Sequence, residues 1–281
     1  MRRPPSGAGG RRVDLHTHTY FSDGLLSPEE LVERAIQRQL AAIAVTDHDS
    51  VEGLPRARAA AGAQLEVVPG IEISSAVEEQ DLHILGYYLD ADHAPLLQRL
   101  GRFQADRRER AREIVGRLAG QGIALDAEAM LAAAGPGVVG RPQVAAALIA
   151  GGHVGDMDEA FRRYLGMRGS AYVPRPAFRP EEAIALIHAA NGISVLAHPG
   201  PAVSDTLFER LVEGGLRGVE VWHPLHGSAL VRRYHTLAQR HDLVETGGSD
   251  FHGPARGTEL GDLGVSITVL DRLKQVAGVA G

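Results

Sequence analysis

The chain has 281 residues, 44% of them hydrophobic and 23% charged, and a formal net charge of −6, which is ample for a full core in one large soluble domain or a domain with an insert. It contains no cysteine, so disulfides, thiolate zinc sites, iron–sulfur clusters and cysteine nucleophiles are excluded, and any metal sees only imidazole and carboxylate. The negative balance argues against a large nonspecific nucleic-acid surface, which draws on excess lysine and arginine, and no stretch approaches the length of a membrane span.

Residues 1–12 carry charge with no apolar run behind it, and read as a disordered tail rather than a signal peptide. Cytoplasmic residence is the corresponding expectation. Val13 to Leu15 is a short strand leading into His16 and His18. Side chains two apart on extended backbone point the same way, so these two imidazoles can serve one ion. Asp23 follows in F-S-D-G. Ser27-Pro28-Glu29-Glu30 is a capping box with proline at the first helical position, opening a helix to about Leu40. Ala42 to Thr46 is a buried strand ending at Asp47 and His48. A helix runs through Arg56 to Ala61, and Glu66 to Pro69 begins the next strand, ahead of Glu72. His83 sits in the apolar run Leu82 to Leu89.

From Asp92 to Gly169 the pattern changes to arginine, alanine and leucine at helical spacing with glycine breaks, predicting an inserted helical subdomain of about 80 residues. The alternation then resumes with a helix near Pro180 to Ala190, a strand Ile193 to Ala197 before His198, and a helix near Thr206 to Glu213. A strand Gly218 to Val221, a helix Ser228 to His241 and a strand Leu243 to Thr246 follow, and then Asp250 and His252, again two apart. Strands separated by helices predict a parallel sheet, and ligands gathered at strand C-termini predict the catalytic face of a distorted (β/α) barrel of about seven strands. Residues 13–91 and 170–281 would form the barrel and 92–169 the insert.

His16, His18, Asp23, His48, Glu72, His83, His198, Asp250 and His252 are nine potential nitrogen or oxygen ligands, placed where predicted strands end. One histidine alone reads as a structural or surface residue; the joint pattern points to a polynuclear metal hydrolase. Such ligands suit Mn, Fe, Zn or Co, and a carboxylate-rich set leans towards Mn.

The segments H-T-H at 16–18, S-D-G at 22–24, T-D-H at 46–48, G-I-E at 70–72, D-L-H-I-L-G at 81–86, A-H-P-G at 197–200 and S-D-F-H at 249–252 resemble, in this order, the motif series of the PHP (polymerase and histidinol phosphatase) family over nearly the whole chain. The resemblance implies a distorted barrel holding two or three divalent ions that hydrolyse phosphate esters. It is nearest to stand-alone members that remove the 3'-phosphate of nucleoside 3',5'-bisphosphates or trim 5'-phosphorylated RNA from its 5' end. The helical insert and the G-R-P at 140–142 fit that subgroup. One ion would be held by His16, His18, Glu72 and Asp250, the catalytic set. Glu72 would bridge to a second on His83 and His198, and a third would use Asp23, His48 and His252, with Asp23 standing where some members have histidine. Manganese is the expected ion, with iron or zinc as alternatives. The implied substrate is a small nucleotide or the 5' end of a short RNA, and no segment signals an obligatory protein partner.

Several residues stay open at this level. Asp47 could orient a neighbouring imidazole from behind or cap a helix. Arg141 could fork onto a second phosphate of the substrate or brace the helix beginning at Pro142. The run Arg102, Arg107, Arg108, Arg110 and Arg112 is interleaved with Asp106, Glu109 and Glu113 and reads as a solvated helix face. His223 and His226 could shuttle a proton or simply shape a loop, and Trp222 could stack a base or pack in the core. Beside the nucleotide-directed reading stand a histidinol-phosphate phosphatase, which would need an acidic pocket for the substrate amine, and a metal-stabilised accessory module without turnover.

Overall fold

The computed structural model describes residues 11–78, 80–133, 139–174, 176–254 and 257–279, so the first ten residues of the expected tail lie outside the described residues. Two compact units are present, one of Met1–Leu97 with Phe178–Gly281 and one of Gln98–Ala177.

In the first unit the elements run β1 (Arg12–Thr17), α1 (Pro28–Gln37), β2 (Ala42–Val45), α2 (Leu54–Ala61), β3 (Glu66–Val77) and β4 (Gln80–Tyr87). After the second unit come α7 (Pro180–Ala189), β5 (Ile193–Leu196), α8 (Asp205–Glu213), β6 (Gly218–Trp222), α9 (Ser228–Arg240), β7 (Val244–Gly247), β8 (Val265–Ser266) and α10 (Ile267–Ala277). The strands form one eight-stranded sheet in the order β7-β6-β5-β4-β3-β2-β1-β8, bent into a nearly closed barrel. The seam closes where Phe251, just past β7, bridges Thr17 in parallel fashion; His18 N–H donates to the Phe251 carbonyl at 2.9 Å and Phe251 N–H to the His16 carbonyl at 3.3 Å.

Sequence accounts for the local choices. Ser27 Oγ accepts from the Glu30 N–H at 3.1 Å while the Glu30 carboxylate accepts from the Ser27 N–H at 2.7 Å, a closed capping box that starts α1. Behind it Leu31, Val32 and Ala35 are buried. The strands are short apolar runs buried on both faces, as strands covered by helices are: Val13, Leu15, Ile43, Ile71, Ile84, Val195 and Val219 are each fully buried. Each such side chain contributes about 1.5–3 kcal/mol on leaving water.

Two expectations are corrected here. The sheet is not parallel throughout, because β4 runs antiparallel to both β3 and β5 and β8 antiparallel to β1. Only residues 78 and 79 separate β3 from β4, whereas a parallel return needs a crossover of about a dozen residues or more. The second correction is that β3, expected to begin at Glu66 to Pro69 and to end where Glu72 stands, runs on to Val77. Pro69 is the last residue paired with β2, and a Cβ on Gly70 would lie 2.8 Å from Thr46 Cγ2 and 2.9 Å from the Val45 carbonyl oxygen. The glycine serves close approach of two strands here, and not a turn.

The second unit holds α4 (Ala127–Ala133), α5 (Arg141–Ala150), α6 (Met157–Ala160) and a π-helical turn Phe161–Leu165, with most of the long α3 (Ala94–Ala119). Its own core includes Ile114, Leu118, Leu131, Val144, Leu148 and Leu165. Arg112 pairs with Glu128 at 2.7 Å and Arg117 with Glu113 at 2.9 Å, as on a solvated helix face. Arg110 departs from that reading, being buried, with Nε donating to the Val173 carbonyl at 2.7 Å. Among the described residues no helix is long and apolar enough to cross a membrane.

Candidate metal centre

β1 and the residue just past it present His16 and His18 on one face, both fully buried, as a two-residue period requires. Asp23 comes from the loop before α1, His48 from the turn after β2, His198 from the turn after β5, and Asp250 and His252 from the segment after β7. Glu72 lies mid-strand rather than at a strand end. It is level with the end of β2 all the same, because β3 overruns β2 and Glu72 bridges His48. His83 reaches the cluster from the N-terminal half of the antiparallel β4, opposite Ser74.

Glu72 is the hub. Its Oε2 lies 3.2 Å from His16 Nε2, 3.3 Å from His18 Nε2 and 3.2 Å from His48 Nδ1, while its Oε1 lies 2.8 Å from His83 Nδ1 and 2.9 Å from His198 Nε2. Asp250 Oδ1 faces His16 Nε2 at 3.3 Å and His18 Nε2 at 3.2 Å. Asp23 Oδ1 lies 3.1 Å from His252 Nε2 and 3.9 Å from His18 Nδ1. Among the described residues three sets bring ligand atoms within 4.8 Å of one another: His18, Asp23, His48 and His252; His16, His18 and Glu72; and His48, Glu72 and His83. The structure therefore gathers all nine expected side chains at one end of the barrel. His18 sits with Asp23, His48 and His252, a grouping the resemblance did not imply.

Charge is concentrated to match. Burial alone would raise the Glu72 carboxyl, but the imidazoles of His48, His16 and His83 outweigh it and hold it well below the usual carboxylate range. Asp250 is likewise held down, against burial, by His16, His18, His223 and His252. Burial disfavours a charged His18, yet Asp250 and Glu72 push it up to about 10, and His16 rises well above its ordinary value through Glu220, Glu72 and Asp250. Burial prevails at His48, which falls to about 3 despite Glu72 and Asp23. Two of the residues also bear backbone strain, His198 at φ +23° and Asp250 at φ +50°, conformations that cost a non-glycine residue about 1–3 kcal/mol and concentrate at functional sites.

The donor set fits divalent cations. His83 Nε2 and His48 Nδ1 are buried without a hydrogen-bond partner, the latter although Glu72 is 3.2 Å away. Buried polar atoms rarely go unpaired. Here they belong to a converging group of imidazoles and carboxylates, the ligands that Mn, Fe and Zn take.

Behind these side chains stand two carboxylates that sequence reasoning missed. Glu220, fully buried in β6, lies 3.0 Å from His16 Nδ1, and burial, which would raise its carboxyl, is overcome by His16, His223 and His198. Asp14, fully buried in β1, accepts from Ser249 Oγ at 2.6 Å, Gly261 N–H at 2.7 Å and Ser249 N–H at 2.9 Å, and so pins the closing segment to β1. The available signal was a lone acid inside a short apolar strand, V-D-L and V-E-V, since a carboxylate is almost never fully buried unless paired.

Asp47 accepts from Thr19 N–H, Thr19 Oγ1 and Ser22 Oγ, each at 2.7 Å, and so shapes the loop that carries Asp23; Ser22 Oγ in turn lies 3.4 Å from His18 Nδ1. The N-cap of α2 is Gly53. His223 and His226 have both ring nitrogens engaged, His223 with Leu225 N–H and Asp250, His226 with the Val221 carbonyl and Gly200 N–H. Trp222 is buried. Arg141 opens α5 in the other unit, its guanidinium 5.6 Å from the Phe161 ring centroid.

A sequence model of the PHP domain matches residues 14–167. The chain is 36% identical to the 5'-3' exoribonuclease Rnm of Salmonella typhimurium, over 88% of this chain and 87% of that protein. It is 36% identical to the 3',5'-nucleoside bisphosphate phosphatase of Chromobacterium violaceum, over 87% and 88% respectively. Its fold is similar to the crystal structure described as a putative metal-dependent phosphoesterase from Bifidobacterium adolescentis, with a TM-score of 0.89 and 31% identity over 99% of this chain and 98% of that one. Taken with the Glu72-centred cluster, these similarities make the chain a metal-dependent phosphoric ester hydrolase that belongs to the PHP family.

Proposed function

We propose that this phosphoesterase hydrolyses the 3'-phosphate of nucleoside 3',5'-bisphosphates and also trims 5'-phosphorylated RNA oligonucleotides from the 5' end. The observation that carries the chemistry is Glu72, whose two oxygens divide five imidazoles between them as a carboxylate shared by two cations would. The substrate class is supported by similarity along most of the chain to a nucleoside bisphosphate phosphatase and an exoribonuclease. Relatives named as enzymes over that length count against a module without turnover.

His16, His18, Glu72 and Asp250 would hold one cation, Glu72, His83 and His198 a second, and Asp23, His48 and His252 a third, with His18 lying beside the last set. Manganese is the proposed ion, with iron or zinc as alternatives. When bound, divalent cations supply Lewis acidity towards phosphoryl oxygens and lower the pKa of the attacking water. The chain's own part is positional. β1 and the residue just past it fix His16 and His18 on one face, and the Asp47 carboxylate sets the loop of Asp23. Arg141 is the proposed contact for the substrate's second phosphate, because a guanidinium can grip it in a bidentate fork. A nucleotide substrate goes with the cytoplasmic residence expected from the sequence.

The test is Mn-dependent phosphate release from adenosine 3',5'-bisphosphate beside a short 5'-phosphorylated RNA and histidinol phosphate, compared by kcat/KM because that ratio decides specificity. A strong preference for the bisphosphate or the RNA is expected. A preference for histidinol phosphate would overturn the substrate assignment while leaving the metal chemistry in place.

A further inference from the structure

β6 and the turn after it carry none of the nine candidate ligands, yet they direct two buried polar side chains at the cluster. Glu220 uses both of its oxygens: Oε1 lies 3.0 Å from His16 Nδ1 and Oε2 accepts the His198 N–H at 2.8 Å. A single carboxylate thus touches a ligand from β1 and the backbone of a ligand in the turn after β5. With Nδ1–H donated to Glu220, a neutral His16 would offer a cation its lone pair at Nε2, the nitrogen 3.2 Å from Glu72 and 3.3 Å from Asp250. The second bond holds His198 in its strained backbone, φ +23°.

His223 does the converse for a carboxylate. Its Nδ1 accepts the Leu225 N–H at 3.2 Å, which leaves Nε2–H to face Asp250 Oδ2 at 3.3 Å. Asp250 Oδ1 is thereby turned towards His16 and His18, 3.3 and 3.2 Å away. Outer groups of this kind fix the tautomer and orientation of metal ligands and raise their basicity.

We propose that Glu220 is a positioning residue of the metal centre, setting the Nε2-ligating tautomer of His16 and the backbone pose of His198, with His223 holding Asp250 to one free oxygen. This rests on the reading that the nine residues hold divalent ions. A purely structural buried acid would serve fold stability alone. Glu220→Gln separates the two roles, because an amide can accept from His16 or from His198 N–H with its oxygen but must turn N–H groups on the other.

The experiment is titration of manganese(II) into chelator-stripped full-length protein, for the wild type, Glu220→Gln and His223→Asn, with the melting temperature of each stripped protein recorded. Both variants should bind manganese(II) about 10- to 100-fold more weakly, with a metal-free melting temperature close to wild type. Wild-type affinity in Glu220→Gln, or a loss of stability with affinity unchanged, would overturn the proposal. Should Glu220→Gln fail to fold, imidazole nitrogen NMR of the zinc(II)-loaded wild type decides: His16 protonated at Nδ1 supports the role and protonated at Nε2 refutes it. A wild type that takes up no manganese(II) would instead sink the metal-centre reading itself.

Discussion

Glu72 meets five imidazoles from four segments of the chain with only two oxygens, so it has more to lose from a single atom change than any other residue at the site. Glu72→Gln preserves size and burial but removes one acceptor oxygen and the charge. The expected loss in kcat/KM exceeds the roughly 100-fold seen when groups behind a ligand are removed, with far-UV circular dichroism unchanged; retained turnover would show that the cluster works without a shared carboxylate. The same geometry makes metal uptake a proton exchange. Against the cost of burial, His18 is pushed up to about 10 by Asp250 and Glu72, and His16 well above its ordinary value by Glu220, Glu72 and Asp250, so the metal-free site holds protons at neutral pH. A cation must displace them. Apparent affinity for manganese(II) should therefore rise with pH through the neutral range. Calorimetry at one pH in buffers of differing ionisation enthalpy should report proton release, and buffer-independent heats would contradict this account.

The segment after β7 is the element on which the site depends most, because it brings Asp250 and His252 to β1 and closes the barrel. Its approach is possible only because residue 248 lacks a side chain: a Cβ there would lie 2.4 Å from His16 Cβ and 2.5 Å from His16 N. Gly248→Ala should destabilise by about 1–3 kcal/mol, as overpacking does, and weaken manganese(II) binding in parallel because Asp250 lies two residues on. A melting temperature and a titration on one preparation check both, and an unchanged melting temperature would mean that the segment can retreat at no cost. Legibility from sequence follows the same physics. His16 with His18, and Asp250 with His252, were readable because a two-residue spacing on extended chain has one geometric meaning. The antiparallel course of β4 was hidden, since an apolar run does not encode direction; β8, two residues long, is too short for any period to show. Glu220 and Asp14 escaped because a lone acid in a strand names no partner, and their partners lie 204 and 235 residues away.

Across the whole molecule the nine candidate ligands, Glu220 and His223 all belong to the unit Met1–Leu97 with Phe178–Gly281, while Gln98–Ala177 has a core of its own built on Leu118, Val144, Leu148 and Leu165. A ligand stabilises whatever must unfold to release it, by about 2.7 kcal/mol at a hundredfold excess over Kd, and local stability varies between cooperative units. Manganese(II) should accordingly slow amide exchange in β1, β3 and residues 247–252 and leave α5 and the Tyr164–Leu165 amides unchanged. Hydrogen exchange followed by mass spectrometry, with and without manganese(II), resolves these segments. Uniform slowing through both units would mean that the helical unit unfolds only with the barrel.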